Sequence, residues 1–481
     1  MNRRFVFHLL GKIFLITAAL MVLPLAVSLI YREDCYLSFI ISIAISLVVG
    51  AVLSYVCRTE DKVIYAKEGF IIVALAWLGM SAVGALPFVF SGEIPSYVDA
   101  FFETVSGFTT TGASILDDVE ALSHGILFWR SFTHWVGGMG VLVFIMAIIP
   151  ATTDRSIHIL RAEAPGPIIG KLVPKMRDTA KILYLIYIAF TVFEVIFLLF
   201  GGMTLFESLV HAFGTAGTGG FGIKGDSIES YSPYIQWVIT IFLMIFGVNF
   251  NLYYLLLTKK FKTVFKSEEL WTYIGISLVS TIIIAFNISG TYFSDASDTV
   301  RTSAFQVASI ITTAGFSTTD FNLWPELSKT ILLLLMFFGA CAGSTAGGLK
   351  ISRVILLLKM IKREIKSLIH PRAVSVVRFE GKKVEEPVLK SLSAYFAIYM
   401  ACFVVVFVLL AFDGFDIVTN FSAAVACFNN IGPGLGAVGP AANYAGYSVF
   451  SKLVLSLAML LGRLEIYPVL FVLSRVAWSK K

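Results

Sequence analysis

The sequence predicts an all-α integral membrane protein in which four pseudo-symmetric helix–pore loop–helix repeats surround a central pore, with a further helix pair at the amino terminus. Three observations predict this fold class. Hydrophobic residues make up 57% of the 481 residues and charged residues only 14%, too few for the surface of a soluble protein of this length. Long apolar segments recur along the chain. Four shorter apolar stretches, each followed by a glycine bend, align with one another without a gap.

Ten apolar segments are long enough to cross a hydrocarbon core of about 30 Å. They cover roughly residues 5–31, 36–56, 69–91, 125–149, 180–201, 232–258, 270–289, 327–358, 391–412 and 446–474. The four shorter stretches have re-entrant length and lie near residues 99–111, 205–219, 302–314 and 417–431. The basic and then apolar amino terminus also fits a signal peptide, but Lys12 and the lack of a clear cleavage site favour a retained first helix.

The distribution of basic residues orients these crossings. With the amino terminus inside and the segments alternating sides, 30 of the 37 Lys and Arg residues fall on the inner side, as the positive-inside rule requires. Both termini are then cytoplasmic, which fits the even number of crossings. Topology therefore accounts for the net charge of +6, with membrane lipids as a further partner, and no motif supports binding to nucleic acid.

The four short stretches share one register, in which a glycine follows the starting residue by nine positions. The starting residues are Glu103, His211, Gln306 and Ala423, and the glycines are Gly112, Gly220, Gly315 and Gly432. Each unit reads helix, short helix, glycine turn, loop, helix. Four such units in one chain predict fourfold pseudosymmetry about a central axis. The alternative, a set of glycine-rich packing turns between helices, is disfavoured because the turns repeat four times in register.

The glycine bends suit a monovalent cation that has lost its water. Backbone carbonyl oxygens can replace the hydration shell of a cation, and glycine readily adopts the left-handed angles that aim successive carbonyls at one axis. The short helix before each bend adds partial negative charge at its carboxyl end. No carboxylate lies in the bends, which argues against a site for divalent cations.

At these bends the sequence resembles the Trk/Ktr/HKT superfamily of potassium transporters. The motifs that carry the resemblance are Thr109-Thr-Thr-Gly-Ala-Ser114, Thr218-Gly-Gly-Phe221, Thr312-Thr-Ala-Gly-Phe-Ser317 and Asn429-Asn-Ile-Gly-Pro-Gly434. The likeness extends over nearly the whole chain. It is closest to the TrkH branch, the membrane subunits of bacterial Trk uptake systems, because the additional amino-terminal helix pair is present.

The resemblance implies that the four aligned glycines belong to a selectivity filter. Gly112 stands where sodium-preferring plant relatives often have serine, so potassium is the expected ion. We expect K⁺ to be bound by Thr110, Thr111, Gly112, Thr218, Gly219, Gly220, Thr313, Ala314, Gly315, Asn430, Ile431 and Gly432. We expect a two-helix segment at residues 1–62 and pore repeats at residues 63–160, 161–266, 267–385 and 386–481.

The eighth apolar segment is interrupted by a glycine-rich run from Gly339 to Gly348, which predicts a broken helix. Two interpretations follow from the residues. The run forms an intramembrane loop that obstructs the pore, or its small residues form a close helix-packing face. The resemblance favours the gate. The expected gate residues are Gly339, Gly343, Ser344, Thr345, Gly347, Gly348 and Arg463.

Arg463 lies inside the last apolar segment, where an arginine requires water or a partner. One interpretation is a positive charge in the pore below the filter, which the resemblance favours. The other is an ion pair with a carboxylate. Glu465 lies on a different helix face, so Glu194 in the fifth apolar segment is the candidate partner.

Three classes of function compete. The nearly uncharged bends favour a channel-like potassium uptake protein in which the ion moves down its electrochemical gradient. A proton- or sodium-coupled symporter is the alternative, and such carriers usually have ionisable groups at the membrane midplane. A membrane enzyme is excluded because no nucleotide, zinc-protease or serine-hydrolase motif is present. No organic cofactor is expected in this chain.

The resemblance also implies partners and a location. It implies a bacterial inner-membrane homodimer that binds cytosolic TrkA-type subunits, and those subunits bind nucleotides. The sequence itself offers only a long basic stretch between Lys350 and Lys390, which the charge count assigns to the cytosol and which suits an acidic or nucleotide-binding regulator.

Overall fold

A computed structural model of the chain describes residues 2–59, 66–140, 176–372, 375–474 and 478. The amino-terminal helices come first: α1 (Arg3–Leu20), α2 (Val22–Tyr31) and α3 (Tyr36–Val56). Helices α1 and α3 pack closely at Gly11 and Gly50, since an ideal Cβ on Gly11 would lie 2.7 Å from the Gly50 carbonyl oxygen. Small residues at such a crossing let two backbones approach within a membrane.

Four units of similar plan follow. The first contains α4 (Ala66–Gly84), α5 (Leu86–Ser91), α6 (Tyr97–Phe108) and α7 (His124–Gly138), and the second contains α8 (Met176–Phe200), α9 (Leu205–Gly217), α10 (Pro233–Phe246) and α11 (Phe250–Leu257). A short helix, α12 (Phe261–Phe265), leads to the third, which contains α13 (Glu268–Ile288), α14 (Ala296–Ile311), α15 (Glu326–Leu335), β1 (Phe338–Gly339), β2 (Leu349–Lys350) and α16 (Ile351–Ile369). A hairpin of β3 (Arg378–Phe379) and β4 (Lys382–Lys383) precedes the fourth, which contains α17 (Glu386–Leu410), α18 (Ile417–Phe428), α19 (Val449–Arg463) and α20 (Tyr467–Leu473).

The protein is therefore an all-α membrane protein with four pore repeats and an amino-terminal helix pair, as the sequence predicts. Strand pairing in the described residues is limited to two short two-stranded units, β1 with β2 and β3 with β4. The pore helices of the four repeats are α6, α9, α14 and α18. The predicted repeat boundaries at 62/63 and 160/161 lie outside the described residues.

Three of the four pore helices begin at side-chain caps. Ser96 accepts from the Asp99 amide at the start of α6, and Asp416 accepts from the Thr419 amide at the start of α18. At α9, Thr204 and Glu207 form a reciprocal capping box. Such caps satisfy amide groups that have no partner within the helix. Each cap therefore fixes where a pore helix starts.

The described part of the chain has six helices, or continuous helix runs, long and apolar enough to cross a membrane. They are Arg3–Tyr31, Tyr36–Val56, Glu68–Ser91, Ala180–Phe200, Glu268–Ile288 and Glu386–Asp413. In the most apolar 18-residue stretch of the run Glu68–Ser91, 67% of the residues are buried inside the protein. The corresponding shares for the first helices of repeats 2, 3 and 4 are only 33%, 28% and 28%. The amino-terminal helix pair covers repeat 1, and the other repeats turn apolar side chains outward, as a lipid-facing surface requires.

The second membrane helices of the repeats are interrupted more often than predicted, since the sequence predicts a break only in the eighth crossing. Helix α7 ends at Gly138, and the remainder of the predicted segment 125–149 lies outside the described residues after residue 140. Helices α10 and α11 meet at a bend of 88°. Helix α19 ends at Arg463, after which Glu465 and Ile466 have φ of 55° and 71° before α20 begins.

The ends of α7 and α19 share a cause. An ideal Cβ on Gly137 would lie 1.8 Å from the Phe108 carbonyl oxygen, and one on Gly462 would lie 2.0 Å from that of Phe428. Phe108 and Phe428 end the pore helices of repeats 1 and 4. Glycine in the second helix therefore lets it pass directly beneath the end of the pore helix, and the helix stops there.

Candidate functional site

The four glycine bends have the same backbone conformation. In the first bend Thr110 and Gly112 are both left-handed, with φ of 55° and 77°. The corresponding angles are 54° and 80° at Thr218 and Gly220, 58° and 85° at Thr313 and Gly315, and 58° and 92° at Asn430 and Gly432. Left-handed angles are uncommon for residues other than glycine. Their recurrence at one register position in all four repeats indicates a shared geometric demand.

The bends touch one another in a closed cycle. An ideal Cβ on each glycine would collide with the carbonyl oxygen just before the glycine of the next repeat. These separations are 2.0 Å from Gly112 to Gly219 O, 2.1 Å from Gly220 to Ala314 O, 2.0 Å from Gly315 to Ile431 O and 2.7 Å from Gly432 to Thr111 O. The cycle runs from repeat 1 through repeats 2, 3 and 4 and back to repeat 1. We call these four glycines and four carbonyls the ring.

Side chains brace the ring from behind. The Asn430 amide nitrogen donates to Thr111 Oγ1 at 2.9 Å and to the Met459 carbonyl oxygen at 2.9 Å, which joins repeat 4 to repeat 1. Thr111 Oγ1 also lies 2.8 Å from Thr109 Oγ1. Thr218 Oγ1 donates to the Gly217 carbonyl oxygen at 2.6 Å. These contacts hold the bends without adding a charge to the ring.

A buried ion pair supports repeats 1 and 2. Arg130 Nε donates to Glu103 Oε1 at 2.6 Å, and Arg130 Nη1 donates to the Gly222 carbonyl oxygen at 3.0 Å. The other Glu103 oxygen accepts from the Ile115 amide at 3.0 Å, in the chain that follows Gly112. Glu103 therefore braces the chain that follows the bend of repeat 1.

His134 is a further brace. Its Nδ1 lies 2.8 Å from the Gly107 carbonyl oxygen, and the Phe221 amide donates to its Nε2 at 3.3 Å. Because one ring nitrogen faces an acceptor and the other a donor, the neutral Nδ1–H tautomer satisfies both. An ideal Cβ on Gly219 would lie 2.4 Å from the imidazole of His134, so this imidazole fixes the bend of repeat 2.

A cavity of about 140 Å³ opens on one face of the ring. All four ring glycines line it, and so do Asp117, Lys224, Asn443 and Tyr444. Tyr444 donates its hydroxyl to the Gly432 carbonyl oxygen at 2.7 Å. We call this cavity the vestibule. Within the described residues no group of three His, Cys, Asp or Glu side chains could hold a metal ion.

The glycine-rich run between β1 and β2 lies against the other side of the ring. We call residues 340–348 the intramembrane loop. The Gly347 amide donates to Thr313 Oγ1 at 2.7 Å, and an ideal Cβ on Gly347 would lie 2.7 Å from the Asn429 carbonyl oxygen. Thr313 and Asn429 belong to the bends of repeats 3 and 4. The loop therefore touches the base of two bends directly.

Backbone carbonyl groups of repeats 2 and 3 anchor the loop. The Ala340 amide donates to the Ile311 carbonyl oxygen at 3.1 Å, and the Cys341 amide donates to that of Gly247 at 3.0 Å. Thr345 Oγ1 donates to the Phe246 carbonyl oxygen at 3.3 Å. The break in the second helix of repeat 2 and the carboxyl end of the pore helix of repeat 3 thus expose carbonyl groups that bind the loop.

Arg463 joins the loop to repeat 1. Its Nη1 donates to the Thr345 carbonyl oxygen at 2.8 Å, and its Nη2 donates to those of Gly137 and Gly138, the latter at 2.9 Å. One guanidinium from repeat 4 therefore bridges repeats 3 and 1 below the ring. Charge-assisted hydrogen bonds of this kind are stronger than those between neutral groups.

Comparison with known proteins identifies the family of the chain. A family model described as TrkH, cation transport protein, matches residues 37–479. The chain belongs to the TrkH family. Membership of a cation transport family identifies it as a transport protein and not an enzyme.

Similar proteins cover the whole chain. The Trk system potassium uptake protein TrkH of Salmonella typhimurium is 37% identical over 489 residues, with 100% of both chains covered. The protein of the same name from Escherichia coli K12 is also 37% identical over the same length and coverage. The crystal structure of the potassium transporter TrkH from Vibrio parahaemolyticus has a TM-score of 0.90 at 33% identity, with 100% of both chains covered.

The expected gate residues of this TrkH-family chain lie together in and around the loop. Gly343 and Gly348 have φ of 73° and 61°, and an ideal Cβ on Gly339 would lie 1.9 Å from the Gly347 carbonyl oxygen. Ser344 donates its hydroxyl to the Cys341 carbonyl oxygen at 2.7 Å. The run is not helical, so the alternative of a small-residue helix-packing face is wrong.

The suggested ion pair between Arg463 and Glu194 is also wrong. Both carboxylate oxygens of Glu194 are buried and make no hydrogen bond within the described residues. Glu465, which helix spacing sets apart from Arg463, forms an ion pair with Arg353 instead. The Arg353 guanidinium also lies 4.2 Å above the Tyr395 ring.

Sequence reasoning missed Arg130 and His134. Arg130 is the one charged residue in the apolar segment 125–149, and that isolation was the available signal. Nothing in the sequence singles out His134, because its partners Gly107 and Phe221 lie 27 and 87 residues away.

Proposed function

We propose that this chain is the potassium-conducting membrane subunit of a bacterial Trk-type uptake system. The relatives that it matches are named potassium uptake proteins. The observation that carries the proposal is the closed ring, in which every glycine meets a carbonyl oxygen of the next repeat. Four equivalent bends around one axis suit a single ion, whereas separate packing turns would not form a cycle.

The ring supplies what a dehydrated potassium ion needs. Uncharged carbonyl oxygens of Thr111, Gly219, Ala314 and Ile431 replace hydration water, and the pore helices direct their carboxyl ends toward the ion. The twelve residues predicted to bind K⁺ make up the four bends. The mechanism is passive conduction, because the bends carry no titratable group that would couple the ion to a proton.

The intramembrane loop and Arg463 serve as the gate. The loop contacts the base of the bends through Gly347, and the positive charge of Arg463 beneath the ring opposes the entry of a cation. Opening requires the loop to leave Thr313 and Asn429. The bonds from Arg463 to repeats 1 and 3 stabilise the obstructed arrangement.

The protein spans the bacterial inner membrane with the vestibule outside and both termini in the cytosol, following the positive-inside rule. It works as a homodimer with cytosolic nucleotide-binding subunits of the TrkA type. The exposed basic residues between Lys350 and Lys390 suit such a partner.

Ion flux into liposomes that contain only this protein tests the function. We expect potassium-dependent currents with unitary steps and a preference for K⁺ over Na⁺. A Gly112→Ala variant should lose this preference or the current, because its Cβ would meet Gly219 O. Transport that requires a proton or sodium gradient and gives no unitary current would replace conduction by coupled symport.

Replacing the loop by a short glycine–serine linker tests the gate. We expect flux under closed conditions to rise, with the preference for potassium retained because the ring is intact. The matched control is a glycine–serine replacement of residues 258–260, an exposed turn between α11 and α12. Unchanged closed-state flux in a correctly folded loop variant would refute the gate.

A further inference from the structure

Glu269 binds the intramembrane loop and the start of the helix that follows it. Its carboxylate oxygen Oε1 accepts from the Ala342 amide at 2.7 Å and from the Ser352 amide at 3.1 Å. Glu269 lies in the first turn of α13 and is only 5% exposed. Ala342 is within the loop and Ser352 follows β2, so one carboxylate clasps the segments on either side of the glycine-rich turn.

A second glutamate holds the same helix end from the other direction. Glu380 Oε1 accepts from Ser267 Oγ at 2.9 Å and from the Glu269 amide at 3.3 Å. Ser267 is the N-cap of α13, and Glu380 lies at the turn of the β3–β4 hairpin with φ of 50°. The hairpin therefore adds a second cap to the helix end that carries the clasp.

The hairpin is packed and not loosely attached. Val377 and Phe379 are buried in a small apolar cluster with Leu356 of α16 and with Leu389 and Leu392 of α17. The charged side chains of the hairpin, in contrast, point outward: Arg378, Lys382 and Lys383 are exposed. A partner that binds the exposed face would therefore contact the hairpin that carries Glu380.

We propose that Glu269 and Glu380 are positioning residues that act in series to hold the gate, so that the hairpin controls the intramembrane loop. The connection runs from the hairpin through Glu380 to the start of α13, through Glu269 to Ala342, and through the loop to Thr313 at the ring. This inference rests on the proposed function, since it assigns the means by which the proposed gate is moved from the cytosol.

The chain supplies a matched control beside the clasp. Glu268 occupies the same helix turn and pairs with Lys359, which also donates to the Arg378 carbonyl oxygen at 2.9 Å. It has the same charge, and within the described residues its ion pair reaches α16 and, through Lys359, the hairpin, but not the loop. Effects of helix-end charge alone would therefore appear equally in variants of Glu268 and Glu269.

Single-channel recording of Glu269→Ala, Glu269→Gln and Glu268→Gln tests the clasp. We expect Glu269→Ala to raise the open probability by about tenfold, because two hydrogen bonds to a carboxylate are lost. Glu269→Gln should raise it less, and Glu268→Gln, which loosens only Lys359 between α16 and the hairpin, should raise it least. Unitary conductance and the potassium-to-sodium ratio should remain as in the wild type, whereas a merely structural defect would alter them.

A double-mutant cycle with Glu380→Ala tests the series. If the hairpin acts through Glu269, the effects of Glu380→Ala and Glu269→Ala on open probability should not add. Additive effects, or a Glu380→Ala variant with wild-type gating, would overturn the inference. Thermal melting of each variant shows that it is folded, and Glu269→Gln keeps the side-chain shape if the alanine variant does not fold.

The same recordings separate the inference from the proposed function. If the loop-replacement variant opens while every Glu269 and Glu380 variant gates normally, the gate stands and the series connection fails. If neither the wild type nor the loop replacement carries unitary current, the proposed conduction fails as well.

Discussion

Glu103 and Glu194 are both buried in the membrane domain, but their surroundings differ. Glu103 accepts from Arg130, Ser114 and the Ile115 amide. Glu194, within α8, makes no hydrogen bond in the described structure. A buried carboxylate stabilises a fold only when its partners replace the water that it has lost. The two residues should therefore respond to substitution in opposite ways.

We expect Glu103→Leu to lower the melting temperature strongly, because it leaves Arg130 as an unpaired buried charge, at a cost of roughly 3–5 kcal/mol. Glu194→Leu removes an unsatisfied polar group and should leave the melting temperature unchanged or raise it. Thermal unfolding in detergent, followed by loss of monodisperse protein, measures both. A destabilised Glu194→Leu variant with a stable Glu103→Leu variant would contradict this account.

Arg463 contributes to the gate both through charge and through its bonds. The guanidinium donates to carbonyl oxygens of repeats 1 and 3, and hydrogen bonds to charged groups contribute about 1.5–3 kcal/mol each. Arg463→Ala should therefore raise cation flux into liposomes by about tenfold or more. Arg463→Lys keeps the charge but loses the planar, forked set of donors. Its cation flux should therefore lie between those of the wild type and Arg463→Ala. Equal or lower flux in folded Arg463→Ala would count against the gate.

At the residue scale, a role could be predicted from the sequence where its cause is local, and not where it depends on a partner far away in the chain. Gly112 and its equivalents were identifiable because their requirement is local: a left-handed bend that recurs in register. The isolation of Arg130 in an apolar segment was also a local signal, but its partner Glu103 lies 27 residues away, and His134 has no local signal at all. Likewise Glu269 is an ordinary first-turn acidic residue by sequence, and its contact with Ala342 bridges 73 residues.

At the scale of elements, the amino-terminal helix pair is attached to the start of α7. Glu33, between α2 and α3, accepts from the His124 and Gly125 amides at 2.8 and 3.0 Å and lies 2.7 Å from His124 Nδ1. Ser123, the N-cap residue of α7, makes no side-chain cap bond. The cap therefore comes from another element, 91 residues earlier in the chain.

This cap makes stability depend on pH. Burial raises the pKa of Glu33, but the His124 and Gly125 amides and the His124 ring more than offset it, so the net pKa lies below its ordinary value of 4.5. The carboxylate then stabilises the fold above pH 4.5, and this stabilisation is lost as the pH falls through the lowered pKa. At neutral pH Glu33→Gln should cost about 1 kcal/mol. Melting temperatures between pH 3 and 7 should show wild type and variant converging in acid.

Glu93 provides a control, because its pKa is shifted in the direction opposite to that of Glu33. It accepts from the amide and hydroxyl of Ser123 next to the same helix end, but burial raises its pKa. Its ionised form is therefore less favourable in the folded state, and a Glu93→Gln variant should gain stability relative to wild type as the pH rises. Parallel pH profiles for the Glu33 and Glu93 variants would contradict both assignments.

The second helices show why element boundaries were only partly predictable. Their composition is that of continuous crossings, and the sequence marks a break only where glycine is dense, at Gly339 to Gly348. The ends at Gly138, Phe246 and Arg463 arise from contact with pore helices and with the loop. Such breaks are set by tertiary packing, which overrides a helix-favouring composition.

At the scale of the whole molecule, the fold could be predicted because the repeat constrains it four times over. One glycine turn after a short apolar helix is ambiguous, whereas four in register require a common axis. The same symmetry leaves the fine geometry of the ring open, since equivalent residues need not make equal contacts. Thr110, Thr218 and Thr313 occupy one position, yet the fourth repeat has Asn430, whose amide nitrogen donates to Thr111 of repeat 1.

The ring should therefore tolerate substitution unequally. An ideal Cβ would lie 2.0–2.1 Å from the facing carbonyl oxygen at Gly112, Gly220 and Gly315, but 2.7 Å at Gly432. All four positions are left-handed, so alanine pays a similar backbone cost at each, and the difference lies in the collision. We expect Gly432→Ala to retain more potassium flux and selectivity than the other three alanine variants.

Liposome flux of the four single variants, normalised to the amount of folded protein, measures this order. Alanine at Gly92, an exposed left-handed glycine with no atom within 4 Å of an ideal Cβ, separates backbone strain from the ring collision. If the four ring variants are equally impaired, conduction depends on bend conformation and not on the spacing between repeats. If Gly432→Ala is the most impaired, the junction of repeats 4 and 1, with its Asn430 bridge, is the tightest part of the ring in the conducting state.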